Sequence, residues 1–135
     1  MPLVGNTTSG ALTRTRIEDY IAASESVTPV TVTDAARTLT AAELLVSKLF
    51  TCTPTAARAF TTPTGAELAA AISDEVVGSS FEFTIVNLAA ATHAITLTAG
   101  ASGVTIVGAA AVSAATSGTF VGVVTAADTV SIYRK

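Results

Sequence analysis

The sequence has 135 residues, a net charge of −3, 50 % hydrophobic residues and only 13 % charged ones. One domain of this size can bury a real core, and high hydrophobicity with low charge excludes a disordered chain. The acidic balance excludes a nucleic-acid binder that works by neutralising phosphates, and one Cys with one His builds neither a disulfide framework nor a Cys/His zinc site.

The 27 Ala and 24 Thr fill over a third of the chain. A free small domain usually keeps about a quarter to a third of its surface charged. This composition leaves two options: a surface of Thr, Ser and Ala, or subunit sides buried in an assembly. Met1–Gly10 has neither a basic n-region nor an apolar h-region, so no secretory signal is read there. The most apolar stretch, Val104–Ala115, is interrupted by Thr105, Gly108 and Ser113 and is too short to cross a bilayer as a helix.

Two parts follow in chain order. Residues 1–26 lack a clean period and read as an extended arm. Within it, Leu12–Tyr20 alternates basic residues with Thr before an acidic pair. Arg14, Arg16, Glu18 and Asp19, with Tyr20, are the candidate contact residues, able to fix the arm on a neighbouring subunit. A solvated terminus is the alternative.

Residues 27–135 read as the β domain. Val27–Val32 alternates Val and Thr but contains Pro29, which confines it to a sheet edge. Thr40 and Glu43 have capping-box spacing and introduce a helical turn before Lys48. Leu49–Thr53 is a strand ending at Pro54. Thr62–Ile72 is the one clear helix, capped either by Thr64 with Glu67 or by Thr62 with Pro63 at the first position. Leu68 and Ile72, four apart, share its apolar face. Phe81, Phe83 and Ile85 alternate with polar or smaller residues in a half-buried strand. Asn87–Thr92 is a turn region. Ile95–Thr98, Val104–Val107, Ala110–Ala114, Thr119–Thr125 and Thr129–Tyr133 are further strands. Turn residues separate them every 8–12 residues or so, the spacing of a sandwich or barrel. Ile95–Gly100 and Val104–Gly108 resemble two strands of one hairpin. No fixed period of 20–50 residues carries through, so no repeat architecture is expected.

Catalytic chemistry finds little support. His93 sits in a small-residue turn and Cys52 in a strand-like run with no close basic neighbour. The adjacent acids Glu18/Asp19 and Asp74/Glu75 read as solvated turns, and without Trp the stacking platform of a sugar site is missing. No Asp/Asn cluster has calcium-loop offsets. Gly100–Gly103 lacks the Lys-Ser/Thr of a phosphate loop.

Several segments in this order carry a resemblance: Thr40-Ala-Ala-Glu-Leu-Leu45, Thr53–Ile72 with its Thr-Pro-Thr-Gly-Ala-Glu start, Val77–Asn87 with Phe-Glu-Phe-Thr-Ile-Val-Asn, Ala94–Gly100, and a last strand ending in Tyr133-Arg134. Over roughly residues 38–135 the chain resembles small tailed-phage structural proteins, the capsid decoration or cement proteins and head-fibre-like virion proteins. The resemblance implies an all-β fold, a β-sandwich of jelly-roll type with one short helix, and no enzymatic activity or cofactor. It further implies a homotrimer on the capsid surface of the virion, assembled in the host cytoplasm. The partners would be the chain itself and the major capsid protein, with no nucleic acid or membrane. A head-fibre, tail-fibre or receptor-binding recognition module is the alternative.

Overall fold

The computed structural model describes residues 27–135. Among these described residues, ten strands form two sheets. In chain order they are β1 (Val30–Thr31), β2 (Arg37–Thr38), β3 (Leu49–Cys52), β4 (Arg58–Thr61), β5 (Ser80–Asn87), β6 (Ile95–Thr98), β7 (Val104–Val107), β8 (Ala111–Val112), β9 (Thr116–Ala126) and β10 (Thr129–Arg134). A π-helical turn, Glu43–Ser47, precedes β3, and one helix, α1 (Gly65–Ala71), follows β4. The six-stranded sheet has the order β1-β3-β5-β9-β10-β7, and the four-stranded sheet β2-β4-β6-β8.

The fold is predominantly β, but its pairing departs from the all-antiparallel expectation of a jelly roll. Five of the eight strand pairings are parallel, and three are antiparallel. Parallel neighbours need a crossover connection. For four of the five the crossover runs through a strand of the opposite sheet, because the chain alternates β1, β2, β3, β4, β5, β6 between the two layers; β7 and β10 are joined through β8 and β9. Three coils therefore stack. Val30 lies beside Phe50 and Phe50 beside Ile85, while Arg37 lies beside Phe60 and Phe60 beside Leu97. The coil spacing is unequal because α1 and its flanks are inserted only between the second and third coils. This is why no fixed period is visible in the sequence. In register, Arg37-Thr38, Phe60-Thr61 and Leu97-Thr98 lie side by side.

The two sheets share one core. Phe50, Phe83 and Phe120 come from neighbouring strands of the larger sheet, and Phe60, Ile95, Leu97 and Val112 from the smaller one. Phe83 stacks on Phe120 at 5.4 Å and on Phe81 at 6.2 Å, and meets Phe50 edge-on at 6.3 Å. Offset-stacked and edge-on pairs of this kind add to simple area burial. The β5 alternation holds, with Phe81, Phe83 and Ile85 buried. Phe81 lies across Gly122 of β9, where a Cβ would come within 2.2 Å of the ring. Glycine there makes room for the aromatic ring on the neighbouring strand.

Pro29 immediately precedes β1, which lies at a sheet edge as expected. Thr64, not Thr62, caps α1: Thr64 Oγ1 accepts from Glu67 N–H, and the Glu67 carboxylate accepts from Thr64 N–H at 3.0 Å. Leu68 is fully buried and Ile72 packs beside it against the core. The box at Thr40 is only half made. Glu43 N–H donates to Thr40 Oγ1 at 3.2 Å, but the Glu43 carboxylate turns away to Arg37.

The expected hairpin of Ile95–Gly100 with Val104–Gly108 is not formed, since β6 lies in the four-stranded sheet and β7 in the six-stranded one. The intervening loop crosses the end of the core and is held at the start of α1. Gly100 N–H donates to the buried Thr62 Oγ1 at 2.8 Å, and Gly65 N–H to Ser102 C=O at 2.9 Å. Gly65 approaches so closely that a Cβ would sit 2.1 Å from Asp128 O and 2.4 Å from Gly103 O.

Candidate interaction surface

Alternate residues of the six-stranded sheet point away from the core and form cross-strand rows. One row runs Glu82, Val121, Tyr133, Val107, and the next runs Ser80, Val123, Ser131, Thr105. A third runs Leu49, Thr84, Thr119, with the last two hydroxyls 2.9 Å apart. The one charge in these rows is Glu82, which accepts from Lys135 Nζ at 2.8 Å. From Phe83 to Ala127 the sequence holds no Asp, Glu, Lys or Arg. Val107 and Tyr133 are each 41 % exposed. Contiguous uncharged surface with exposed large side chains marks a contact face more often than bare solvent surface.

At one end of the domain, an open groove of about 460 Å³ lies between the segment after β5 and the start of β9. Leu88, Ala90, Ala115, Thr116 and Ser117 line it. Its floor is organised by Asn87, which is buried at the end of β5. Asn87 Nδ2 donates to His93 C=O at 2.7 Å and to Val112 C=O at 2.9 Å, and Oδ1 accepts from Ala89 N–H at 3.0 Å. One side chain thus satisfies three backbone groups and joins the two sheets. Arg134 does similar work at the C-terminal end of β10. Its guanidinium lies 5.3 Å from the centre of the Phe120 ring and donates to Ala111 C=O at 2.9 Å. It occupies the space that Gly118 leaves free of a Cβ.

The fixed charges tie adjacent coils together. The Asp34 carboxylate accepts from Arg58 Nε at 2.6 Å, from Thr55 N–H at 3.2 Å and from the Thr55 hydroxyl. The Arg58 and Thr55 hydrogen bonds hold the Asp34 carboxyl well below the usual carboxylate range. Arg37 of β2 pairs with Glu43 of the following turn.

The contact residues expected from the sequence, Arg14, Arg16, Glu18, Asp19 and Tyr20, lie outside the described residues, as does the whole 1–26 arm. His93 is half-buried in the β5–β6 loop, and its carbonyl, not its ring, is the partner of Asn87. Cys52 is buried, and desolvation pushes its thiol up, with Asp34 adding to the effect. It behaves as a small core residue, as its strand position suggests. Asp74 and Glu75 sit in the turn after α1. Gly100 and Gly103 serve the close contact with Pro63–Gly65. Among the described residues no cluster of three His, Cys, Asp or Glu is placed to hold a metal ion. No helix among them is long and apolar enough to cross a membrane.

Sequence reasoning does not single out Asn87 or Arg134. Asn87 ends an alternating strand on the buried phase, after Phe81, Phe83 and Ile85, and that phase is the signal for it. Arg134 likewise continues the buried phase of Val130 and Ile132.

No protein-family model matches the chain, and neither the curated proteins nor the solved structures contain a match.

Proposed function

We propose that the chain is a non-enzymatic virion structural protein: a decoration or cement protein that binds the assembled shell of a tailed phage as a homotrimer and stabilises it. The scaffold of this reading is a β-sandwich. The observation that carries it is the charge-poor outer surface of the six-stranded sheet, whose rows hold one charged residue, Glu82, in a chain whose 38–135 region resembles such proteins in sequence. Subunits that spend their working life against other subunits gain nothing from surface charge there, and neutral Thr/Val rows bury without stranding a charge. A ligand that binds only the assembled shell stabilises it by mass action. A trimer engaging several sites at once strengthens weak single contacts.

The experiment is the copy number per particle, by quantitative mass spectrometry of purified virions against the major shell protein. Copies in the hundreds support the cement role, and complete absence from virions refutes it. Removal of residues 1–20 is expected to leave the fold intact and weaken shell binding. Equal binding by the shortened chain refutes the role given to Arg14, Arg16, Glu18, Asp19 and Tyr20. The groove beside Leu88 favours a second reading, a recognition module of a head or tail fibre. A few to a few tens of copies per particle, together with binding to a glycan array, supports that reading instead.

A further inference from the structure

Four strands lie at sheet edges: β1, β2, β7 and β8. Natural proteins guard such edges with proline, charge or shortness. β1 is two residues long and follows Pro29, β2 carries Arg37, and β8 is two residues long. β7, Val104-Thr-Ile-Val107, has four residues with no charge and no proline, and its pairing with β10 runs without a register shift. Gly103 and Gly108, both at positive φ, bound it.

The ladder says which backbone groups are free. Val130 N–H donates to Gly103 C=O at 2.8 Å. Groups alternate sides along a strand, so Thr105 and Val107 also turn towards β10, and the N–H and C=O of Val104 and Ile106 face the open side. Among the described residues nothing bonds to them there. Exposed N–H and C=O groups along such an edge are a template for another strand.

We propose that this edge pairs with β7 of a second copy of the chain, antiparallel about a two-fold axis through Thr105. The absence of charge selects this occupant. On a two-fold axis each residue faces its own copy or a near neighbour of it, so a charge at the edge would repel itself. β7 and the Ala99–Gly103 and Gly108–Ala115 segments around it carry none. In this register Val104 lies opposite the partner's Ile106, and Ile106 opposite the partner's Val104. Each pair exchanges two backbone hydrogen bonds. Thr105 meets its own copy in a non-hydrogen-bonded pair, in the same manner as the antiparallel cross-strand Thr84–Thr119 pair within the chain. The outer-face row Ser80, Val123, Ser131, Thr105 then continues across the axis. The pairing needs only this chain and stands apart from shell binding, so either can fail alone.

In such a pair the Thr105 Cα atoms are about 4.5 Å apart, within the ~4.4–6.8 Å span of a disulfide. The full-length Thr105→Cys variant is therefore expected to form a covalent dimer under mild oxidation. Thr125→Cys, exposed in β9 but away from the edge, is expected to form none. Thr105→Lys places two like charges on the axis and is expected to weaken association at least about tenfold, with an unchanged circular dichroism spectrum. In the proposed homotrimer this edge contact would join two trimers, so sedimentation velocity of the wild type is expected to show an even-numbered assembly, a dimer only where the trimer reading fails. Four results would overturn the proposal. They are a wild-type monomer at about 100 µM, where micromolar association would be populated; equal cross-linking at both positions; a trimer that Thr105→Cys does not link; and association abolished by removing residues 1–26 but untouched by Thr105→Lys.

Discussion

Replacing Asn87 tests how the two sheets are joined. Its side chain is buried and makes three hydrogen bonds to backbone groups of the β5–β6 loop and β8. Asn87→Ala removes all three and leaves one N–H and two C=O groups short of a partner. A buried group left unpaired costs about 1–3 kcal/mol, and the adjoining groove lets water recover part of that, so the expected loss is roughly 3–5 kcal/mol. For a domain of this size that is about 10–20 °C in Tm. Asn87→Asp is the sharper variant. It keeps the shape and the acceptor for Ala89 N–H but turns a carboxylate towards the His93 and Val112 carbonyls. Burial and these oxygens raise its folded pKa above the unfolded value of about 3.9. A raised folded pKa means that this group's contribution is present below the unfolded pKa and lost as pH rises through the folded one. The stability gap between Asn87→Asp and wild type is therefore expected to narrow on acidification from pH 7 to pH 4. Urea denaturation at several pH values reads both effects. A loss under about 1 kcal/mol for Asn87→Ala, or a gap for Asn87→Asp that does not change with pH, would refute the reasoning.

Three further outcomes are expected. Gly65→Ala puts a Cβ 2.1 Å from Asp128 O and 2.4 Å from Gly103 O, both backbone atoms. It should cost several times more than Gly78→Ala, which has open space around it at φ +98 and should lose only about 1 kcal/mol for its backbone conformation; equal melting temperatures would contradict the packing at the start of α1. The Asp34 carboxyl, held down chiefly by its Arg58 hydrogen bond, contributes stability that is present above the unfolded value and lost as pH falls through the folded one. Carboxyl NMR should find it still ionised at pH 3 in the wild type and titrating near the ordinary range in Arg58→Gln, and a wild-type midpoint near 4 would contradict the pairing. Cys52, 1 % exposed with its thiol pushed up by burial, should resist a thiol reagent at pH 8 until denaturant is added; stoichiometric labelling of the native protein would contradict its burial.

Strand positions are legible wherever one face is buried, because burial on one face imposes a period of two on the sequence. Phe81, Phe83 and Ile85 show this, as do Ile95 and Leu97. The α1 cap is legible because Thr64 and Glu67 satisfy each other locally. β2 and β4 are not. β2 is two residues long, and both strands open on an arginine, so neither offers a run of alternation.

By itself the sequence determined a charge-poor, predominantly β domain from about Val27 onwards, the approximate places of the longer alternating strands, the edge position expected beside Pro29, and the capped helix. These follow from interactions among residues a few positions apart. Tertiary structure alone decided how strands are shared between sheets, the parallel stacking of three coils, and the separation of β6 from β7. It also decided the use of Asn87 and Arg134 to tie the layers together. Which strand lies beside which depends on loop closure and on the shared core, where Phe50, Phe60, Phe83 and Phe120 from four distant segments meet. A period of two is the same for a parallel and an antiparallel neighbour, so alternation identifies a strand without naming its partner.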